Sequence, residues 1–187
     1  ELDVVLTSRN VAKGQRVPMA GVPHHASEGY IAKLISKGYK VAICDQVARE
    51  AVNGLMPREV VRVVTPGTVV EPGMLAERRN NYLAAVVIGD DSAGIAHVDI
   101  TTGEFATTQF VSRQIEADVA RELDRLSVAE LIISNDGQMF VGQGQEETEE
   151  ALRRHPFLSS LGVPISLYDD WRFEFGSCRQ ALLDQMQ

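Results

Sequence analysis

Apolar residues along this 187-residue chain follow two spacings in turn, every second position and every third or fourth, and the switches between them mark out elements. Asp3 to Thr7 reads as a short apolar strand. Ser8 to Val17 is polar, carries Arg9, Lys13, Gly14 and Arg16, and reads as a turn or loop. Tyr30, Ile31, Leu34 and Ile35 then fall on one stripe of a helix over about Ala26 to Ser36, with Gly38 placed to end it in the left-handed conformation. Lys40 to Cys44 and Val60 to Val64 are strands. The sequence Thr65, Pro66, Gly67, Thr68 puts Pro and Gly at the central positions of a type II turn.

Residues 69–80, which include EPGMLAERRN, hold no strong period and read as a linker. Beyond it, Tyr82 to Ile88, Ile95 to Ile100 and Glu104 to Phe110 are β-rich runs parted by Gly- and Asp-containing turns, the pattern of an antiparallel meander. Ser112 to Leu126 then sets Ile115, Val119, Leu123 and Leu126 at helical spacing, and Glu130 to Ser134 reads as a fully buried strand. The prediction is an α/β chain of two small domains. A mixed-sheet α/β domain spans 1–68, and a second domain begins at 81, with strands, helix and strand in an order compatible with a ribonuclease H-like mixed sheet.

Composition places the chain near the average soluble, cytoplasmic domain, at 44% hydrophobic and 24% charged residues. Charge sharpens the division. Residues 1–68 hold nine Lys and Arg against six Asp and Glu (+3), whereas residues 69–187 hold nine against twenty (−11). Only the first part therefore suits a polyanion, because cationic side chains must replace phosphate counterions. Cys44 and Cys178 sit at no paired or metal-ligand spacing and read as reduced thiols. Runs such as AAVVI at 84–88 are too short to cross a bilayer, and no charged-then-apolar leader opens the chain, so no membrane role is expected. GQGQEETEE at 142–150 reads as an acidic loop leading into a helix, and its lone GxG lacks the strand that a dinucleotide site requires.

Three stretches go further: RVPMAGVPHHASEGYIAKLISKGYKVAICDQ at 16–46, EVVRVVTPGT at 59–68, and VDITTGEF at 98–105. Together they resemble the MutS family, whose members find mispaired bases in duplex DNA. The resemblance implies the later part of a mismatch-recognition domain over 1–68, N-terminally truncated, a ribonuclease H-like connector domain over 81–172, and the start of a helical core over 173–187. It also implies partners: duplex DNA with mismatches or small loops, MutL, and a second copy in the complete family protein. Because that dimer relies largely on the ATPase region, a monomer is expected for this stretch. The setting would be the bacterial cytoplasm, near the nucleoid. ATP and Mg belong to a C-terminal P-loop domain in the family, and no GxxxxGK[ST] occurs in this sequence, so no cofactor and no catalysis are expected. The family's Phe-X-Glu reader is also missing from the sequence, so any mismatch preference should be weak or nil.

The candidate DNA-binding residues are Arg9, Lys13, Arg16, Met19, His24 and His25. Arg9, Lys13 and Arg16 suit phosphate contact or a merely solvated loop. Met19, between two prolines, is either a core plug or, by the resemblance, a contact beside the minor groove. Adjacent His24 and His25 diverge and lack a third metal ligand, so they suit helix N-terminal hydrogen bonding, with phosphate contact a second option. The competing class is a metal-dependent, ribonuclease H-like nuclease with an N-terminal substrate-binding domain. Its carboxylates would come from Asp99, Glu104, Asp124, Glu130 and Asp136, which two-metal hydrolysis would need to converge.

Overall fold

Strand pairing, rather than loop, occupies most of residues 6–20 in the structure, a computed structural model that describes residues 2–12, 15–47, 56–75, 79–135, 149 and 152–185. The chain divides into two units between Pro66 and Gly67. In the first, β1 (Leu6–Ala12) pairs antiparallel with β2 (Gln15–Ala20) as a two-stranded ribbon. This corrects the expected loop over Ser8 to Val17. The described side chains of the pair, at 6–10 and 16–20, are all exposed, so no period-2 burial marks them, and cross-strand bonding defines the pair instead, including the Thr7 hydroxyl donating to the Met19 carbonyl at 3.0 Å.

A single 3-10 turn at His24–Ala26 leads into α1 (Ser27–Ile35). The stripe predicted for this helix is inward: Ile35 is buried, and Tyr30, Ile31 and Leu34 are half-buried. Gly38 ends it at φ 81°, its N–H donating to the Ile35 carbonyl while the Tyr39 N–H donates to that of Leu34, a Schellman closure. A second two-stranded sheet follows, β3 (Val41–Gln46) antiparallel to β4 (Arg58–Val64), with a register shift between Ile43 and Cys44.

The second unit is built on a five-stranded sheet. Its strands are β5 (Tyr82–Ile88), β6 (Ser92–Asp99), β7 (Glu104–Val111), β8 (Glu130–Ser134) and β9 (Ile165–Tyr168), in the order β7-β6-β5-β8-β9. The β5–β6 and β6–β7 pairs are antiparallel, and the β5–β8 and β8–β9 pairs are parallel. Three antiparallel strands extended by two parallel ones, with β6 alone reversed, is the ribonuclease H-like arrangement. Strand β9 was not anticipated, and β6 starts three residues ahead of the expected Ile95.

Helix α2 (Ile115–Leu126) starts three residues later than expected, with the Gln114 N–H donating to the Ser112 hydroxyl just before it. It buries Ile115, Val119, Leu123 and Leu126 in the core that includes Ala84, Val86, Ile95 and Leu131. The seven Ile, Val and Leu side chains among these contribute on the order of 1.5–3 kcal/mol each, which is what holds helix to sheet. The short α3 (Pro156–Ser160) adds Leu158 to the same core. A 3-10 turn at Asp170–Phe173 precedes α4 (Phe175–Gln185), which buries no residue.

The turn at Pro66 to Thr68 is present, but not as type II, since Gly67 lacks the positive φ that such a turn requires. A different constraint selects glycine. A Cβ on Gly67 would stand 2.8 Å from Leu83 Cδ1 and 2.9 Å from Glu130 Cβ. The acidic stretch at 142–150 lies outside the described residues except for Glu149, as does Asp136.

Candidate nucleic-acid interface

Cross-strand register sorts the ribbon's side chains. Thr7 is opposite Met19 and Arg9 opposite Val17, while Leu6 is opposite Ala20, Ser8 opposite Pro18, and Asn10 opposite Arg16. Because successive side chains on a strand alternate between faces, Thr7, Arg9, Val17 and Met19 share one face, and Ser8, Asn10, Arg16 and Pro18 the other. The two arginines grouped together by sequence therefore lie on opposite faces of a thin ribbon. Lys13 lies outside the described residues.

Met19 is 45% exposed and Val17 43%, which removes the core-plug reading of Met19. An apolar pair beside a cation, all open to solvent, can press against a groove wall while the guanidinium meets phosphate. Sequence reasoning missed Thr7 and Val17 as members of this face. The signal was there in the alternation of VPM, but it becomes informative only once residues 15–20 are known to be a strand. Pro18 is tolerated because each strand of a two-stranded ribbon has a free edge.

His24 and His25 are exposed in the 3-10 turn ahead of α1. The turn's bonds run through backbone carbonyls and not the imidazoles: the Ser27 hydroxyl donates to the His24 carbonyl at 2.7 Å, and the Ala26 N–H to that of Pro23 at 2.9 Å. Both imidazoles remain at the surface.

Of the carboxylates weighed for a nuclease, Asp99, Glu104 and Glu130 serve other bonds. Asp99, 1% exposed, accepts the Thr101 hydroxyl at 2.6 Å and the backbone N–H groups of Thr101, Asn81 and Thr102 at 2.9, 3.2 and 3.4 Å. Burial pulls its pKa upward, but the Thr101 hydroxyl and the three N–H donors outweigh that and hold the carboxyl below its ordinary value. The hydroxyl-rich TTG turn is thus folded around an anion, Asp99. Glu130 is 2% exposed, accepts the Gly67 N–H at 3.0 Å, and is bonded by the Ser166 hydroxyl. Glu104 accepts the Tyr82 hydroxyl at 2.9 Å and the Asn80 amide at 3.2 Å. Central strand β5 carries no carboxylate at all. Among the described residues, no group of three or more His, Cys, Asp or Glu is arranged to hold a metal ion, and no helix is long and apolar enough to cross a membrane.

Fold and site together define an α/β chain with an exposed basic-apolar ribbon in its first unit and a ribonuclease H-like second unit. Residues 1–72 match the family description "MutS domain I" and residues 81–187 match "MutS domain II". The chain belongs to the MutS family. The DNA mismatch repair protein MutS of Dehalococcoides mccartyi strain CBDB1 is 50% identical over 98% of this chain and 19% of its own length. That of Symbiobacterium thermophilum is 50% identical over 98% of this chain and 20% of its own length, and that of Halothermothrix orenii 51% over 73% and 15%. The chain thus spans about a fifth or less of the length of these three relatives. Among solved structures, Thermus thermophilus RuvC in complex with a Holliday junction substrate is similar at a TM-score of 0.35 and 16% identity, covering 49% of this chain and 66% of that one.

Proposed function

We propose that this chain is the DNA-contacting and signal-transmitting part of a mismatch repair protein. Residues 1–68 act as the mismatch-recognition domain, 69–80 as linker, 81–172 as connector, and 173–187 as entry to the helical core. The observation that carries the reading is the exposed β1–β2 ribbon, with Arg9 and Met19 on one face and Arg16 on the other. A ribbon entering a widened groove edge-on presents its two faces to the two phosphate walls. Arg9 and Arg16 then meet opposite backbones, with Lys13 as a further phosphate contact and Met19 and Val17 against the sugar wall. His24 and His25 lie close in sequence to the ribbon and supply secondary phosphate contacts.

Specificity comes from deformability: a mispaired step is cheaper to kink, and whatever wedges it gains that difference. Lacking Phe-X-Glu, this chain binds duplex with little discrimination. Its acidic second unit faces protein rather than DNA, and in the complete protein it relays conformational change toward the ATPase and contributes to MutL docking. The complete protein works as a homodimer in the bacterial cytoplasm, with ATP and Mg held elsewhere, while this chain alone is a cofactor-free, non-catalytic monomer.

Fluorescence anisotropy with a G·T-mismatched duplex and its matched twin, at two salt concentrations, tests the proposal. Salt-sensitive binding with similar affinity for the two duplexes is expected. No binding to either duplex at low salt would remove the ribbon from the DNA interface.

A further inference from the structure

The two edges of the second unit's sheet are unequal. Strand β9 ends one side with four residues, too short to template much pairing. Strand β7 ends the other with eight, EFATTQFV, and pairs with β6 in unbroken register from Asp99–Glu104 to Ser92–Val111. Natural sheets blunt long edges with proline, lysine, a bulge or a covering element. Strand β7 has none of the first three, and its outward row is open: Phe105 is 49% exposed and Val111 76%. On the face toward α2, by contrast, Ala106, Thr108 and Phe110 are half-buried, so the strand is anchored by one face, and among the described residues no strand pairs with its outer edge.

We propose that β7 is a docking edge to which an extended, basic segment of another protein adds as a sixth strand. Main-chain hydrogen bonds would supply affinity, and the Phe105 to Val111 row, with Thr107 and Gln109 between, would select apolar residues at alternate positions. Charge selects the occupant. Residues 69–187 carry −11, and acidic groups stand at both ends of the strand: Glu104 at its start, and Asp91, whose carbonyl accepts the Ser112 N–H at 2.9 Å, beside its end. The same segment of a second copy would bring another −11 to this edge and be repelled, whereas a lysine-flanked segment would be steered in. This inference does not depend on the DNA reading, because it involves no residue of the ribbon.

The test uses a fluorescein-labelled peptide of alternating valine and threonine flanked by lysines, a twin flanked by glutamates, and a third with alternate backbone nitrogens methylated, each titrated against the 187-residue chain. The lysine-flanked peptide should bind in a salt-sensitive manner, and the other two roughly tenfold or more weakly. Phe105→Ser with Val111→Ser should cost about tenfold, because two cross-strand apolar contacts go. Thr107→Lys, exposed on the same row, should cost a similar factor through repulsion and leave the circular dichroism unchanged. Absent binding, or binding indifferent to these variants, to N-methylation or to peptide charge, overturns the proposal. So does a dimer in sedimentation velocity that the double serine variant abolishes, which would assign the edge to a second copy.

Discussion

Replacing Gly67 by alanine tests how the second unit closes around Glu130. The new Cβ would lie 2.8 Å from Leu83 Cδ1, 2.9 Å from Glu130 Cβ and 3.1 Å from Glu130 Oε2, where carbon atoms prefer about 3.5–4.0 Å. The Leu83 methyl can swing aside, but the Glu130 Cβ is fixed by β8, which pairs with strands on both sides. Overpacking of this kind costs about 1–3 kcal/mol. Displacing the Gly67 N–H from its 3.0 Å contact with a buried carboxylate adds on the order of 1 kcal/mol. Against this, alanine restricts the unfolded chain by about 0.4–1 kcal/mol, a gain available because the Gly67 φ is not in the left-handed region. The net expectation is a loss of about 2 kcal/mol.

Trp171, the one tryptophan of the chain, lies in the second unit beside the Arg172 guanidinium at 4.6 Å, so its fluorescence reports that unit's unfolding. With a urea slope of about 1–3 kcal/mol/M, the midpoint should fall by roughly 1 M at unchanged slope. Gly94→Ala is the matched control. It sits on β6, where a Cβ meets nothing within 4 Å, and should leave the midpoint level or raise it slightly. If Gly67→Ala behaved like Gly94→Ala, close approach would not be the reason for the glycine and the contact with Glu130 would carry little energy.

Asp99→Asn should destabilise the second unit by about 2–3 kcal/mol at pH 7, because four donors lose a carboxylate. Since the folded pKa is lowered, the wild-type contribution is complete above the ordinary value of 3.8 and fades as pH falls through it toward the lower folded value; urea midpoints against pH should show that acid limb in the wild type and a shallower one in the variant. Ser127 holds φ 51° at the end of α2, so Ser127→Gly should raise stability by about 0.5–1 kcal/mol in the same assay, and a loss would mean the 3.3 Å bond from its hydroxyl to the Asp124 carbonyl outweighs backbone strain. Arg9→Gln and Arg16→Gln should each lower the slope of log affinity against log salt by about one, with additive effects; an unchanged slope for Arg16→Gln would lay the ribbon flat on the Arg9 face.

What could be read from the sequence follows where hydrophobic periodicity reports burial. Helix α2 and strands β5 and β8 were legible because one face, or both, of each is removed from water, which leaves a 3.6-residue stripe or a short apolar run. Ribbon β1–β2 was not, because its described side chains, at 6–10 and 16–20, are all exposed: alternation there sorts Arg9 and Met19 from Ser8 and Arg16 without sorting apolar from polar. Strand β9 escaped for a different reason, since four residues give two alternations and any short run fits that. Gly67 and Asp99 show a third limit. Gly67 was read as a turn glycine, and Asp99 was weighed as a metal ligand only under the competing nuclease reading; each owes its identity to partners distant in sequence or to a local cap: Glu130, 63 positions away, for the glycine, and the Asn81 and Thr101 donors for the aspartate. A residue type constrains chemistry, but only the neighbours that consume its hydrogen-bonding capacity decide whether that chemistry is available. Asp99 is the clearer case, because four donors around a nearly inaccessible carboxylate leave little lone-pair capacity for a metal, whereas the ribbon's guanidinium groups stand at the surface, where phosphate can reach them.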